Sequence, residues 1–113
     1  MSITESKPTE MQETEYKPEP RYKIAPRYGV WSKDDKIIIQ VALPGVQKEK
    51  IEMKVLPNYF TLRATRDEVL YALDLEMVKV EPEISTASYE EGLLKIELKR
   101  YNPLEHAYEV KIE

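Results

Sequence analysis

The fold is decided by residues 51–65, IEMKVLPNYFTLRAT. Apolar residues alternate with polar or charged residues on both sides of a turn signal, Pro57-Asn58, and the apolar set is Ile51, Met53 and Val55, then Phe60, Leu62 and Ala64. A period of two is typical of a β-strand with one buried face. Two such runs separated by turn residues predict an antiparallel hairpin.

Runs of the same kind lie on both sides of this hairpin. Residues 28–32 predict a strand that turns at residues 33–35 into a second strand, whose alternating apolar residues are Ile37, Ile39, Val41 and Leu43. Two more runs carry alternating apolar residues, at Val69, Tyr71, Leu73, Leu75 and Met77 and at Leu94, Ile96 and Leu98. Thr86 to Glu90 predicts a short strand after a connection that holds Pro82 and Ile84. Six or seven short strands with turn signals between them predict an all-β, immunoglobulin-like antiparallel β-sandwich.

The ends of the chain differ from its centre. Residues 1–26 hold four of the eight prolines among Glu, Lys, Thr and Ser, so they predict a flexible polar arm that cannot bury a core. Residues 27–102 form the predicted sandwich. Residues 103–113 form a predicted C-terminal extension.

The composition excludes several classes of protein. The chain has 113 residues, a net charge of −4, no cysteine and a single histidine, His106. It therefore lacks the residues for a disulfide framework, a thiolate metal site, a cysteine nucleophile or a histidine cluster. No apolar run approaches the length of a membrane span and the first ten residues hold no signal-peptide segment, so we expect a cytoplasmic protein without membrane contact.

Neither nucleic-acid binding nor catalysis is favoured by the remaining polar residues. Trp31 and Tyr28 near basic residues suggest a stacking platform, but the acidic net charge disfavours contact with phosphates. The paired carboxylates all fall in predicted turns, and His106 is predicted to lie at the surface of the extension. We therefore predict no enzyme activity, no cofactor and no metal site.

Two motifs resemble the small heat shock protein (α-crystallin domain) family. Residues 43–51, LPGVQKEKI, resemble its L-P-G-V-x-K-E-x-I stretch, and residues 87–94, ASYEEGLL, resemble its A-x-x-x-n-G-V-L signature. The positions that carry the match are Leu43, Pro44, Gly45, Ala87, Gly92 and Leu94. The resemblance extends over about residues 28–112 and implies the same sandwich.

The C-terminal Val110-Lys111-Ile112 is similar to the I-x-I/V tail motif of that family. The resemblance implies that Val110 and Ile112 dock as an added strand in a groove at the edge of a neighbouring sandwich. The alternative is that they cover the edge of their own domain. Candidates for the apolar groove are Ile51, Met53, Val55 and Leu93, although ordinary core burial explains Met53 and Val55 equally well.

The chain departs from the family pattern in two places. Only Arg66-Asp67-Glu68 stands where bacterial, plant and archaeal members carry a long loop that is swapped between subunits, and the N-terminal arm is poor in large apolar residues. Both departures make the sequence more similar to the related CS domain of co-chaperones, which has the same sandwich but lacks that loop. We therefore expect a monomer, or a dimer that pairs the 69–77 strand with its own copy, rather than a large shell.

Two functions follow from the resemblance. The first is an ATP-independent holdase that binds unfolded or partly folded client proteins and prevents their aggregation. The second is a CS-type adaptor that docks on a partner chaperone, such as a heat-shock ATPase, or on another protein complex. Suppression of client aggregation distinguishes the first from the second.

Overall fold

The computed structural model describes residues 20–113, which form strands connected by turns. Within that range the strands are β1 (Tyr22–Ile24), β2 (Tyr28–Lys33), β3 (Lys36–Ala42), β4 (Ile51–Leu56), β5 (Tyr59–Arg66), β6 (Val69–Glu76), β7 (Val80–Glu90) and β8 (Leu93–Arg100). Single 3-10 turns at Lys48–Lys50 and Pro103–His106 precede β4 and follow β8. No helix in residues 20–113 is long and apolar enough to cross a membrane.

The strands form two four-stranded sheets. The first has the order β1-β6-β5-β4 and the second has the order β2-β3-β8-β7. All neighbouring strands are antiparallel except β1, which runs parallel to β6. Because β4 packs against β7, these two strands form one end of the sandwich, and β1 and β2 lie at the opposite end. The predicted β-sandwich is confirmed.

The core consists of the inward residues of the alternating runs. Phe60 and Leu62 from the first sheet and Ile39, Val41 and Ile96 from the second have at most 1% of their surface exposed. Their sequence neighbours, such as Arg63 and Lys95, lie on the outer faces. The period of two in the sequence therefore matches the two faces of each sheet.

A two-residue turn, Asp67-Glu68, connects β5 directly to β6. Arg66 pairs with Val69, and Asp67 takes a positive φ of 53° that closes the turn. Short polar residues such as Asp tolerate this left-handed conformation better than most others. The predicted absence of a long loop between these strands is confirmed.

Strand β1 lies inside the range that the sequence predicts as a flexible arm. The backbone N–H groups of Arg21 and Tyr22 donate to the Glu68 carbonyl at 2.7 and 3.0 Å. The pairing continues to Ile24 opposite Tyr71. The ordered domain therefore begins before residue 27, and residues 1–19 of the predicted arm lie outside the described residues.

The position of β1 also changes the predicted mode of dimerisation. Its three residues occupy the edge of β6 along residues 69–71. The prediction that the 69–77 strand pairs with its own copy requires that edge to be free. The structure therefore does not support this dimer, since part of the edge is already paired.

Strand β7 is longer than the sequence predicts. Pro82 and Ile84, expected in a connection, lie within Val80–Glu90. The register against β8 shifts between Glu81 and Thr86, where Pro82 lacks a backbone N–H. The expected connection is thus an irregular part of one strand, of the kind typical of sheet edges.

Candidate functional site

The two motif segments meet in the folded chain. The Leu43 N–H donates to the Gly92 carbonyl at 2.7 Å. Tyr89 belongs to the second motif, between Ala87 and Gly92. Its hydroxyl group contacts the carbonyl oxygens of Leu43 at 2.8 Å and Val46 at 2.6 Å. The turn after β3 is thereby fixed to the turn between β7 and β8.

The two glycines of the motifs each meet a conformational requirement. Gly92 has φ of +80°, and a Cβ at this position would lie 3.2 Å from the Pro44 Cα. Gly45 has φ of +75°, and a Cβ there would lie 3.1 Å from the Arg66 side chain. The Arg66 guanidinium in turn donates to the Pro44 carbonyl. Only glycine combines a positive φ with such close approach at low cost.

The apolar members of the motifs belong to the core. Leu43 is fully buried and Leu94 is 3% exposed, and both lie in the cluster between the sheets. Ala87 is different, because it is exposed on β7. It faces the same side of its sheet as its partner Ile96.

An apolar groove runs between the edges of β4 and β7. It has a volume of about 280 Å³ and is lined by Met53, Val55, Pro82, Ser85, Thr86, Ala87 and Ile96. Met53 and Val55 are half-buried and pack against the core. In the described residues, β4 pairs only with β5 and β7 pairs only with β8, so both strands present a free edge at the groove.

The groove includes two of the four predicted residues. Met53 and Val55 line it, whereas Ile51 packs against the core without lining the groove. Leu93 begins β8 beside Ala42 and Glu90 and is 44% exposed. Because Leu94 points into the core, Leu93 points to the outer face of its sheet and does not reach the groove. Leu93 is therefore not one of the residues that line the groove, contrary to the prediction.

The tail residues do not cover their own domain. Val110 is 84% exposed and Ile112 is 99% exposed, in a segment after the last 3-10 turn that pairs with no described strand. Such exposure of two branched apolar side chains is unfavourable. The alternative in which they cover their own sandwich edge is therefore not what this structure contains.

A cluster of charged and aromatic residues fixes the start of the extension. Lys99 Nζ lies 3.1 Å from a Glu81 carboxylate oxygen and 2.8 Å from Glu105. The His106 ring stacks on Tyr101 with 4.8 Å between centroids, and its Nε2 is 3.8 Å from Glu81. Hydrogen bonds from its ammonium group to Glu105 and Glu81 raise the pKa of Lys99 to about 12.

Three residues of this cluster, Glu81, Glu105 and His106, have side-chain donor atoms close enough together to resemble a metal site. The donor atoms of Glu81, Glu105 and His106 lie within 4.8 Å of one another. The ammonium group of Lys99 contacts both carboxylates and neutralises one of their two negative charges. The arrangement is that of an ion-pair network which holds the 3-10 turn against β7 and β8.

A second polar network lies on the outer face of the first sheet. Arg63 donates to both carboxylate oxygens of Asp74, at 2.9 and 3.1 Å, and the Thr61 hydroxyl donates to the same carboxylate. Hydrogen bonds from Arg63 and then Thr61 lower the pKa of Asp74 to about 2. This network joins β5 to β6 and stabilises the ionised form of the Asp74 carboxylate.

Comparison with solved structures gives three similar folds. Heat shock protein 16.0 from Schizosaccharomyces pombe has a TM-score of 0.65 at 17% identity, with 80% of this chain and 77% of that chain covered. A small heat-shock protein from Xylella fastidiosa has a TM-score of 0.64 at 16% identity, with 80% and 95% covered. A variant of hsp14.1 from Sulfolobus solfatataricus P2 has a TM-score of 0.63 at 18% identity, with 80% of each chain covered. The fold is that of the small heat shock proteins.

A curated protein gives a shorter match of higher identity. The 18 kDa heat shock protein of Clostridium acetobutylicum is 42% identical over 41 residues, which is 36% of this chain and 27% of that protein. The match therefore spans about a quarter of the relative's length. No protein-family model matches the chain. The resemblance that the two motifs indicated is confirmed by these small heat shock protein relatives.

Sequence reasoning missed several residues of this small heat shock protein fold. Tyr89 lies inside the second motif, but nothing in its period-two position indicates that its hydroxyl reaches the carbonyls of Leu43 and Val46. Pro82 and Thr86 line the groove from the opposite sheet, which only the packing of the two sheets determines. The stack of His106 on Tyr101 has a weak signal in the sequence, because Tyr101 is an aromatic residue five positions earlier, directly after the last strand.

Proposed function

We propose that the chain is an ATP-independent holdase that binds exposed apolar segments of unfolding proteins. The observation that supports it is the apolar groove between β4 and β7, bordered by two unpaired strand edges in a fold shared with small heat shock proteins. A groove of this kind matches an extended client segment with alternating apolar side chains. No bond chemistry and no cofactor are needed.

The binding mode follows from the geometry of the edges. A client strand forms backbone hydrogen bonds with β4 or β7 and places every second side chain against Met53, Val55 and Ile96. Backbone pairing is independent of sequence, so it suits many clients. The outward charges on β4, Glu52 and Lys54, keep the occupied surface hydrated.

The experiment is light scattering of a heated model client in the presence of the full chain. We expect suppression of client aggregation at equal molar amounts, without ATP. Aggregation that proceeds unchanged at a several-fold excess of the chain contradicts the proposal.

An adaptor function is the second candidate, and the two-residue turn Asp67-Glu68 favours it. That turn leaves no loop between β5 and β6 for subunit exchange, as in the CS domains that the sequence resembles. An adaptor binds one partner chaperone stoichiometrically at normal temperature. A pull-down that recovers a single stoichiometric partner together with no client protection favours the adaptor, whereas many partners recovered only after heating favour the holdase.

We further propose that Val110 and Ile112 dock in the groove of a neighbouring copy. Their exposure of 84% and 99% and the apolar lining of the groove support this assignment. Light scattering of the intact chain and of a chain ending at Leu104 tests it. We expect a smaller particle for the shortened chain, and equal sizes contradict docking of the tail.

A further inference from the structure

The C-terminal tail has the pattern of a strand with one apolar and one charged face. Residues 107–113 are AYEVKIE, in which apolar and charged side chains alternate strictly. The apolar set is Tyr108, Val110 and Ile112, and the charged set is Glu109, Lys111 and Glu113. All six are exposed, and none forms an ion pair within the part of the chain that the structure describes. The tail docking proposed above uses the apolar face, so the charged face has no assigned partner.

Strand β4 carries the complementary charges on its outer face. Glu52 and Lys54 are its exposed charged residues. Lys50 precedes the strand and, together with Glu52 and Arg63, lines a depression on the outer face of the first sheet. The signs along β4 are therefore positive, negative, positive, and along the tail they are negative, positive, negative. Among residues 20–113, Lys50, Glu52 and Lys54 have no ion-pair partner.

Of the two strand edges that border the groove, β4 is the better template for an added strand. Strand β7 is interrupted by Pro82 and a register shift, and the charged residues on either side of that proline, Glu81 and Glu83, are both acidic. Two of the three charges of the tail are also acidic. By contrast, β4 contains no proline and stays in continuous register with β5 along its whole length.

The backbone groups that β4 presents at its free edge follow from its hairpin. Leu56 and Tyr59 are paired on either side of a two-residue turn, so they form a hydrogen-bonded pair. Hydrogen-bonded and non-hydrogen-bonded pairs alternate along antiparallel strands. The N–H and C=O groups of Met53 and Val55 therefore point away from β5, toward the free edge. The same two residues line the groove with their side chains.

We propose that the tail of a neighbouring copy pairs antiparallel with β4 in the single register that places Val110 opposite Met53. This inference rests on the tail docking proposed above and adds its direction, its register and a third apolar contact, Tyr108 with Val55. Each charged residue of the tail then faces an opposite charge on β4. The pairs are Glu109 with Lys54, Lys111 with Glu52 and Glu113 with Lys50. Because Met53 and Val55 make the backbone bonds, these charge pairs fall at non-hydrogen-bonded positions, where side chains approach most closely.

The charges exclude the neighbouring antiparallel registers. A shift by one residue turns the charged face of the tail toward the groove. A shift by two residues places Lys111 opposite Lys54 in one direction and opposite Lys50 in the other. Like charges directly across a strand pair are unfavourable and opposite charges are favourable, so both shifts lose stability.

The apolar face of the tail selects its direction. A parallel tail with Lys111 opposite Glu52 also pairs opposite charges. It places Tyr108 opposite Glu49, which lies in the 3-10 turn before β4. The antiparallel tail places Tyr108 opposite Val55, which lines the groove. Only the antiparallel arrangement therefore matches the charged and the apolar faces together.

The register is tested by disulfide cross-linking of the full chain, which contains no cysteine of its own. Glu109→Cys with Lys54→Cys places two thiols at opposite positions, where a Cα separation of about 4.5 Å suits a disulfide. We expect this variant to form covalent oligomers on oxidation, seen on a non-reducing gel. Glu109→Cys with Lys50→Cys reports the parallel arrangement, and Glu109→Cys with Glu52→Cys reports a shift by two residues. Both control variants are expected to cross-link much more slowly.

Charge reversal tests the ion pairs themselves. Lys111→Glu alone and Glu52→Lys alone place like charges opposite each other. Each is expected to raise about fivefold the chain concentration at which half of the copies are assembled, measured by light scattering. The double variant restores opposite charges and is expected to return to within about twofold of the original. Lys95→Glu makes the same charge change on the outer face of the second sheet and is expected to leave this concentration unchanged.

The outcomes separate the register from the docking itself. A particle that is smaller for the chain ending at Leu104, combined with equally fast cross-linking of the three cysteine variants, overturns the register and leaves the docking in place. Single charge reversals without effect, or not rescued by the double variant, have the same meaning. Equal particle sizes with and without the tail, and no cross-linking in any variant, overturn both proposals.

Discussion

At the scale of single residues, Tyr89 joins the two motif turns through its hydroxyl group. Tyr89→Phe removes the contacts with the Leu43 and Val46 carbonyls while keeping the ring. The Val46 carbonyl then loses the hydroxyl donor, whereas the Leu43 carbonyl still accepts from the Val46 N–H at 3.2 Å. Loss of a donor to a buried carbonyl destabilises a fold, so we expect the free energy of unfolding to fall by about 1–3 kcal/mol. Urea denaturation measures this change. Tyr108→Phe is the control, because Tyr108 is 94% exposed, and an equal effect of both substitutions contradicts the assigned role.

A second residue-scale prediction concerns the pH dependence of stability. The pKa of Asp74 is about 2 in the folded chain against an ordinary value of 3.8, because Arg63 and Thr61 donate to its carboxylate. A lowered folded pKa adds stability that is complete above pH 3.8 and is lost as the pH falls toward 2. The effect is small because the side chains of both Asp74 and Arg63 are about 40% exposed.

Asp74→Asn is therefore expected to lower the urea midpoint at pH 7 and to make it less sensitive to pH between 4 and 2. Asp67→Asn provides the control, because it removes the same charge from the neighbouring turn, where no ion-pair partner is found among the described residues. A midpoint that falls as steeply with pH in the Asp74 variant as in the original chain argues against the ion pair.

At the scale of elements, the turn between β7 and β8 depends on Gly92. A Cβ at this position meets the Pro44 Cα at 3.2 Å, and φ is +80°. We expect Gly92→Ala to lower the free energy of unfolding by about 1–3 kcal/mol through strain and backbone displacement. Gly29→Ala is the matched control, since its Cβ would only touch the Trp31 ring at 3.6 Å. Equal stability of the two variants means that the close approach is not required.

The elements also show which parts of the fold a sequence can reveal. The β4–β5 hairpin is predictable because its alternation and its turn, Pro57-Asn58, are local. Strand β1 is not, because its three residues have no period of their own and depend on β6, whose paired residues lie 47 positions later in the chain. The irregular start of β7 was predicted as a connection, since Pro82 is a local signal against a strand but is tolerated at an edge.

At the scale of the whole molecule, the functional surfaces arise from the packing of two sheets. Met53 and Val55 could be assigned to an edge groove from one strand's alternation, whereas Pro82 and Ala87 on its other wall come from the second sheet. Leu93 was misassigned because the period of two gives its face correctly but not whether that face borders the groove. The missing loop between β5 and β6 was readable directly, since only two residues separate the strands.

The central claim is that the groove between β4 and β7 binds unfolding clients, and one assay with two variants tests it. Ala87→Arg places a long charged side chain in the groove from an exposed position on β7, while Ser88→Arg places it on the opposite face of the same strand. We expect the original chain and the Ser88 variant to suppress aggregation of a heated model client at equal molar amounts, and the Ala87 variant to lose most of that suppression with an unchanged circular dichroism spectrum. Protection by the Ala87 variant equal to that of the original chain contradicts the claim.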